Sequence, residues 1–554
     1  MRNMGKLRTA TRTGVASICV AAICLAGITS CGSRDRDGNG GSGGTITMSM
    51  TTFPDHLDPQ VGYTLDSWEV LWNTYVPLLT YRHTKGQAGT EVVPGLAKDM
   101  PQISDGGATY KLTLRPHMKY SDGTPIRASD FAHAIKRVFK TRSGGSVFYK
   151  TIVGARDFAN GTADTIAGIV TDDNTGDITI RLEQPSGTFT NLLAMIFAAP
   201  VPQSTPLDKD TDNNPPASSG PFVITKADIP KSLTMERNPN FHTVRDAGAT
   251  EVPDAHVDKI VIEQNSDESE QTTAVERNEV DFMDEPPDAN RMPEIRAKYG
   301  NRFRFEDSIN VVYFWMNNQK APFNDLRVRQ AINYAIDPGI LNRIYGGRLS
   351  PLQQILPAGL PGHADYRLYP GPDMDKAKQL LAETNPADRD ITVWTSDEPV
   401  RKRTGKYYRD LLTELGFTVT LKIIPASTYI KSIGDSSTPD LDTGLGRWFQ
   451  DFPHPDDFFR PLLKGTNILP VNNNNFSRVA IPAYDDKQFE LATLQLSPGV
   501  EKQYAELDKA YMEQAVWAPY GSEQYTTFMS ERMDFEKAYS HLLFNQDFSA
   551  FALK

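Results

Sequence analysis

One segment of the sequence concentrates side chains that could bind a small ligand. The stretch GRWFQDFPHPDDFFRPLL runs from Gly446 to Leu463 and contains one Trp, four Phe, three Pro and three Asp. It has too many prolines for a helix interior and too many aromatic rings for an ordinary surface loop. Bulky rings and carboxylates on one irregular segment are typical of the wall of a ligand-binding cleft.

A second loop of similar composition occurs near the start of the folded region. The residues TITMSM from Thr45 alternate as a short strand does, and the loop TTFPDHLDPQ follows them. The residues LDTGLGRW also end as a strand, which places the segment from Trp448 to Pro455 just beyond a strand's carboxyl end. In open α/β sheets, ligands bind at that edge. The two loops therefore predict a cleft between two domains, with a ligand between them.

Catalysis is the first alternative for these residues. The chain has nine His, without H-x-H, HExxH or C-x-x-C spacing, and no nucleophile lies in a credible motif. His454, close to Asp451, Asp456 and Asp457, forms the one cluster in the sequence that could bind a metal or transfer protons. A His in a proline-flanked loop is more often a surface residue, and we expect Asp456 and Asp457 to cap a helix. We therefore expect no enzyme activity, no cofactor and no metal site.

The elements that must position this segment follow the pattern of an α/β lobe. Asp325 and Asp337 each precede a predicted helix as its N-cap. A strand at 391–395, a helix through Tyr408 and a strand FTVTLKII form a βαβ unit, which implies a mainly parallel sheet covered by helices. Earlier in the chain, TYKLTLR at 109–115 is predicted to be a strand, and Ser129 is predicted to cap the helix that follows.

The N-terminus has the pattern of an export signal. An apolar run at 15–28 is too short to cross a bilayer, and it follows four basic residues, Arg2, Lys6, Arg8 and Arg12. The run ends in ITSC, in which the small residues Thr29 and Ser30 precede Cys31, and this resembles the lipobox of bacterial lipoproteins. We therefore expect residues 1–30 to be removed and Cys31 to carry a lipid, with a plain secretory signal as the alternative. Residues 31–44 then form a flexible, glycine-rich tether.

Cysteine content and charge narrow the possible partners. The three Cys residues, at 19, 24 and 31, all lie at or before the cleavage point, so the exported chain has no disulfide bond and no catalytic thiol. Cleavage removes four basic residues and no acidic ones, which lowers the net charge from −11 to −15. Nucleic acid is therefore not expected as a partner.

Six segments resemble, in order, a known family: the extracytoplasmic solute-binding proteins of family 5, which include the oligopeptide-, dipeptide- and nickel-binding proteins of ABC transporters. The most diagnostic block, at 93–131, reads VPGLAKDM…SDGGATYKLTLRPHMKYSDGTPIRASDF. The other segments are LDPQ (57–60), SSGPFVI…MERNPNF (218–241), NEVDFM (278–283), APFNDLRVRQAINYAID (321–337) and LPAGLPG (356–362). Together they run over nearly the whole exported chain.

The resemblance implies an α/β, two-lobed periplasmic-binding-protein fold of the cluster C type, which closes on its ligand like a hinge. Lobe I would comprise 45–80, 206–306 and 523–554, and an extra domain at 81–205 would pack on it. Lobe II would comprise 307–522, with crossover strands near 306–311 and 520–526. The resemblance also implies a monomer, anchored by lipid to the outer face of the cytoplasmic membrane, that delivers its solute to an ABC permease.

The resemblance also implies the ligand site. Peptide binders of this family carry an Asp three residues after a Trp, and its carboxylate pairs with the ligand's α-ammonium group; Trp448 and Asp451 match that spacing. Phe53, Tyr63 and Tyr429 are the further expected contacts. The alternative for Asp451 is a turn cap before a proline.

The nature of the ligand stays open at this stage. The same fold also serves for nickel chelates, sugars and opines. An envelope protein for signalling or adhesion is a further alternative to peptide capture.

Overall fold

The computed structural model describes residues 43–212, 214–384, 386 and 388–554. The predicted signal peptide at 1–30, Cys31 and most of the predicted tether lie outside the described residues. Within those ranges, no helix combines the length and the hydrophobicity that crossing a membrane requires.

A seven-stranded sheet forms the first lobe. In spatial order its strands are Phe303–Glu306, Tyr525–Met529, Phe282–Met283, Thr45–Met50, Lys259–Gln264, Ser232–Arg237 and Phe222–Asp228. The strand Thr45–Met50 is parallel to both of its neighbours. Its residues Ile46, Met48 and Met50 are buried, because alternate side chains of a strand point to the same face. The predicted strand TITMSM is thus confirmed. The helices of this part of the chain are Leu65–Trp72, Phe241–Asp246, Glu268–Glu276 and Met292–Lys298.

A six-stranded sheet forms the second lobe. In spatial order its strands are Leu349–Ser350, Trp517–Glu523, Asn310–Met316, Thr443–Phe449, Asp390–Ser396 and Thr418–Ile424. Its helices are Leu326–Ala335, Pro338–Ile344, Met374–Thr384, Pro399–Glu414, Ala426–Ile433, Asp456–Leu463, Pro482–Ala492 and Pro498–Glu513.

The predicted βαβ unit is present in this second sheet. Strands Asp390–Ser396 and Thr418–Ile424 are parallel and are joined by the helix Pro399–Glu414. Tyr408 on that helix stacks on Phe314 of the sheet, with ring centroids 3.8 Å apart. The expectation of a mainly parallel sheet is wrong, however, since Asn310–Met316 is antiparallel to both of its neighbours. The sheet is mixed because the chain enters and leaves it through crossover strands from the other lobe.

A four-stranded antiparallel sheet forms the extra domain. Its strands, in spatial order, are Gln102–Ser104, Thr109–Thr113, Asp177–Arg181 and Ile169–Asp172. Its helices are Ala128–Lys140, Ser146–Tyr149, Ala155–Ala159 and Phe189–Leu192. Two further strand pairs join Leu79–Tyr81 to Val92–Pro94, and Ser540–His541 to Asn545–Gln546.

Of the predicted helix caps, Asp325 and Asp337 in the second lobe are confirmed, and Ser129 in the extra domain is wrong. Asp325 accepts a hydrogen bond from the backbone N–H of Arg327 at 2.9 Å, and Asp337 accepts one from Gly339 at 2.7 Å. In the extra domain the N-cap residue is Arg127, not Ser129. Ser129 lies inside the first turn, and its backbone N–H and hydroxyl both donate to Asp173 at 2.8 Å. Ser129 therefore serves as a hydrogen-bond donor to a neighbouring loop and not as a helix cap.

The chain passes between the two large sheets at two adjacent points. One passage lies between Glu306 and Asn310, and the other lies between Glu523 and Tyr525. They are hydrogen-bonded to each other: the Asn310 side-chain amide donates to the Glu523 carbonyl at 2.7 Å and accepts from the Glu523 backbone N–H at 2.8 Å. Two adjacent strands that connect two lobes are a suitable place for a hinge.

A buried ion pair ties the first lobe's loop to the extra domain. The carboxylate of Asp58 and the guanidinium of Arg137 are in contact, and neither side chain is exposed to solvent. Asp58 also accepts hydrogen bonds from the backbone N–H and the hydroxyl of Thr211, at 3.2 and 2.8 Å. Gln60 accepts from the same guanidinium at 3.1 Å. The segment LDPQ is therefore held against the helix Ala128–Lys140.

Candidate functional site

A cavity of about 530 Å³ lies where the second lobe, the extra domain and the first lobe's loop meet. One of its walls is the aromatic and acidic segment that begins at Gly446. The extra domain supplies the wall opposite, with residues Val147, Phe148, Thr151, Gln184, Pro185, Ser186, Thr188 and Leu192. A larger depression, of about 1190 Å³, lies elsewhere and contains none of the predicted ligand-binding residues.

Asp451 lies on the loop that joins the strand Thr443–Phe449 to the helix Asp456–Leu463, and it lines the cavity. Its carboxylate accepts a hydrogen bond from the hydroxyl of Tyr63 at 3.1 Å. Desolvation raises the pKa of Asp451 to about 7, and the hydrogen bond from Tyr63 only partly opposes that effect. A cation that enters the cavity would stabilise the ionised form of this carboxyl group.

Asp457 forms a second acidic group in the same wall. Its Oδ2 atom accepts a hydrogen bond from the backbone N–H of Asp451 at 2.8 Å and a longer one from the indole N–H of Trp448 at 3.4 Å. Burial and the charge of Asp451 raise the pKa of Asp457 well above its usual range. The prediction that Asp456 and Asp457 cap the helix is wrong, because Pro455 is the N-cap residue. Asp456 pairs with Arg460, and Asp457 reaches back to the loop.

Tyr63 is a residue of the first lobe that lines the cavity. Its backbone N–H donates to Asp55 at 3.1 Å, just before the helix Leu65–Trp72. Its ring stacks on Trp68 at 5.6 Å and meets the edges of Phe197 and Phe148 at 5.4 and 6.2 Å. Burial and the nearby carboxylates raise the pKa of Tyr63, so its hydroxyl keeps its proton and acts as a donor.

Two basic side chains line the cavity near the acidic pair. Arg460 is ion-paired with Asp456, one helical turn earlier. Lys464 has its ammonium group 5.5 Å from the centre of the Phe489 ring. In the described part of the chain, no Lys, Arg or His nitrogen lies within 4.0 Å of the carboxylate of Asp451 or Asp457. Asp451 and Asp457 thus form no ion pair with a described residue, although Arg460 and Lys464 line the same cavity.

The comparison with known families agrees with this geometry. A family model of bacterial extracellular solute-binding proteins, family 5, matches residues 91–469. The chain belongs to this family. Its fold is accordingly the two-lobed one, and its role is to bind a solute outside the cytoplasm.

Individual relatives resemble the chain over most of its length. It is 23% identical to the probable D,D-dipeptide-binding periplasmic protein DdpA of Escherichia coli, over 74% of this chain and 75% of that protein. It is 25% identical to heme-binding protein A of Haemophilus influenzae, over 78% and 79% of the two chains. The structure of clavulanic acid biosynthesis oligopeptide binding protein 2 superposes with a TM-score of 0.85 at 25% identity, and covers 93% of this chain and 96% of that one.

The remaining family-derived candidates do not reach the cavity. Phe53 is half-buried and packs against the apolar core of the first lobe. Tyr429 is buried, and its hydroxyl donates to the carbonyl groups of Leu445 and Trp394 at 2.8 and 3.0 Å. The structure thus brings Asp451, Trp448 and Tyr63 together, and leaves Phe53 and Tyr429 outside that group.

His454 is not a surface residue. It is fully buried, and its Nδ1 atom accepts a hydrogen bond from the backbone N–H of Asp456 at 3.1 Å. Burial and the charge of Arg460 lower the pKa of His454 to about 3, so the ring is neutral.

The described residues that bring three possible metal-ligand atoms within 4.8 Å of one another are His56, Asp210 and Asp212, far along the sequence from His454. Burial alone would lower the pKa of His56, but the charges of Asp212 and Asp210 raise it, as in an ordinary ion pair.

The sequence analysis did not predict several of the residues that line the cavity, among them those at 464–493. The extra domain's wall comes from two segments, around 147–151 and 184–192, whose sequence carries no binding motif. Asp457 had a visible signal, since it follows a proline and another Asp. The sequence could not show that the loop folds back and brings Asp457 against Asp451, six residues earlier.

Proposed function

We propose that this protein captures peptides by their free amino terminus and delivers them to the permease of an ABC importer. The observation that carries the proposal is the carboxylate of Asp451, which faces the cavity with a neutral hydroxyl as its hydrogen-bond donor and, among the described residues, no basic nitrogen within 4.0 Å. A peptide's α-ammonium group supplies the missing charge and donates several hydrogen bonds. The names of the dipeptide- and oligopeptide-binding relatives support the same class of ligand.

The proposal includes the division of the chain into domains. Lobe I comprises 45–80, 206–306 and 523–554, the extra domain 81–205 and lobe II 307–522. The strands of the three large sheets support these ranges, apart from Trp517–Glu523, which ends one residue beyond lobe II. The boundary at 80/81 also cuts the strand Leu79–Tyr81. We propose that the protein works as a monomer.

A neutral ligand such as a sugar fits the cavity less well. It would leave two carboxyl groups desolvated beside each other without a compensating charge, which is unfavourable. One relative is a heme-binding protein, so a non-peptide solute is the alternative that an experiment must distinguish.

Native mass spectrometry of the purified protein tests the class of ligand. We expect the native protein to carry additional masses that mild denaturation releases as short peptides with unblocked amino termini. The protein that has been stripped of ligand should bind the same peptides again. Release of a porphyrin, a sugar or a metal chelate, with no peptide rebinding, would contradict the proposal.

We further propose that Cys31 carries the lipid that anchors the protein to the outer face of the membrane. Replacing Cys31 with Ser removes the thiol to which the lipid is attached. We expect the variant to lose its lipid and to appear in the medium or as unprocessed precursor, as judged by cell fractionation and intact mass. A variant that is processed like wild type and sediments with membranes would show that the anchor lies elsewhere.

A further inference from the structure

Three carboxyl groups line the cavity, and two of them, Asp451 and Asp457, are not ion-paired with a described basic residue. Asp457 is only 3% exposed. Both hydrogen bonds to Asp457 from the described residues reach its Oδ2 atom. Asp451 receives its hydrogen bond from Tyr63 at Oδ2 as well. Within the described ranges, the Oδ1 atom of each carboxyl group has no donor within hydrogen-bond distance.

The surrounding groups do not neutralise this pair. The pair also faces two tyrosine hydroxyls, those of Tyr63 and Tyr81, and both stay uncharged because burial raises their pKa. On the helix of Asp457 itself, Arg460 is engaged by Asp456, and Lys464 follows at the helix end over a phenylalanine ring. The cavity residues of the extra domain and of 467–493 are apolar or carry neutral amides and hydroxyls.

Two adjacent, desolvated carboxyl groups do not both ionise when no cation is present. Like charges in a low-dielectric site repel strongly, so one proton remains with the pair, as in other carboxyl dyads. Burial raises the pKa of both carboxyl groups; the charge of Asp451 raises that of Asp457 further, and the hydrogen bond from Tyr63 partly lowers that of Asp451. In the empty cavity Asp457 therefore keeps a proton.

We propose that Asp457 is the second anchor for the ligand's cation, and that arrival of the α-ammonium group expels the proton that Asp457 carries in the empty site. This inference rests on the proposed capture of peptides by their amino terminus. No bond other than O–H is broken: the carboxyl group loses its proton to solvent, and the ammonium group then donates to both carboxylates. Asp457 thereby makes the site selective for ligands that carry a positive charge.

The coupling gives binding a definite pH dependence. If one proton leaves on binding, affinity rises by about tenfold per pH unit while the pair is still protonated. Affinity falls again when the peptide's own amino group deprotonates, above a pKa of about 7.7–8.0. We expect an optimum between these limits.

Calorimetric titration with trialanine, in buffers of different ionisation enthalpy, counts the protons. At about pH 6.5 the peptide's amino group is fully protonated, so any proton released comes from the protein. We expect wild type and the control variant Asp486→Asn, which changes an exposed Asp of the same lobe, to release about one proton more than Asp457→Asn, in which Asp451 still titrates. Asp457→Asn should also bind roughly tenfold more weakly at about pH 8.

The outcomes separate this inference from the proposed function. If wild type binds trialanine and rejects N-acetyl-trialanine, but releases no more protons than Asp457→Asn does, the proton on Asp457 is contradicted and capture by the amino terminus stands. Asp457→Asn with unchanged affinity and unchanged proton release would likewise overturn the role of Asp457. If trialanine and its acetylated form bind equally, or neither binds, both proposals fail.

Discussion

Replacing Asp451 with Asn is expected to weaken peptide binding by roughly 30-fold or more, because removing one partner of a buried charge pair costs about 2–5 kcal/mol and each 1.4 kcal/mol is tenfold. The lower end of that range is expected, since Asp457 remains beside the ligand's ammonium group. The measurement is the dissociation constant from calorimetry, with a peptide that the native protein carries.

The matched control makes the same Asp-to-Asn change at a position outside the cavity. Asp486→Asn, on the surface of the same lobe, should bind peptide as wild type does. Thermal unfolding of the empty proteins checks the fold. Desolvation raises the pKa of Asp451 in the folded protein, so its ionised form costs stability as pH rises above the unfolded value. The empty variant should therefore melt at the wild-type temperature or above it. An Asp451→Asn variant with wild-type affinity would exclude this residue as the anchor.

Arg137→Met is expected to lower the free energy of unfolding by about 3–5 kcal/mol, because it leaves the buried carboxylate of Asp58 without its guanidinium partner. The variant keeps most of the side chain's volume, so the loss reports the charge and not a cavity. Denaturant titration, or the melting temperature of the empty protein, measures the effect. Since Tyr63 is on the same loop, weaker ligand binding should accompany the loss of stability.

Two further measurements separate the ion pair from general packing. The double variant Asp58→Asn with Arg137→Met removes both charges of this pair and should be more stable than the single variant. In the single variant the pKa of Asp58 rises further, so the folded state binds an extra proton. The loss of unfolding free energy relative to wild type should then become smaller as pH falls toward the raised pKa of Asp58. It should become larger at pH values above that pKa. A double variant no more stable than the single one, with a deficit that does not depend on pH, would contradict the role of the pair.

Local sequence signals predicted the regular elements well. Asp325 and Asp337 begin their helices because a carboxylate can accept the free N–H groups of a first turn, and this requirement is contained within three residues. The βαβ unit around Tyr408 followed from hydrophobic periodicity in the same way. The prediction that Ser129 caps its helix was wrong because its side chain instead bonds Asp173, which lies forty-four residues away in the sequence.

The site was only partly predictable, for a related reason. Trp448 and Asp451, which line the cavity, were predicted from the spacing of a family motif, and Tyr63 from its place near the start of the helix after the first lobe's loop. Tyr429 was assigned to the site from its position in the chain, but its hydroxyl bonds two backbone carbonyl groups of the second lobe's sheet. Phe148 and the rest of the extra domain's wall reach the cavity only through the packing of three separate sheets, which no short stretch of sequence encodes.

Capture of a peptide by its amino terminus is tested most directly on the wild-type protein, by calorimetry with one peptide in its free and its N-acetylated form. Acetylation removes the positive charge and leaves the rest of the peptide unchanged. We expect the acetylated peptide to bind roughly 30-fold more weakly or not at all, a loss as large as that caused by Asp451→Asn. In the Asp451→Asn variant, acetylation should make much less difference. Equal binding of the free and acetylated peptides by wild type would contradict the proposed function and would favour a non-peptide ligand.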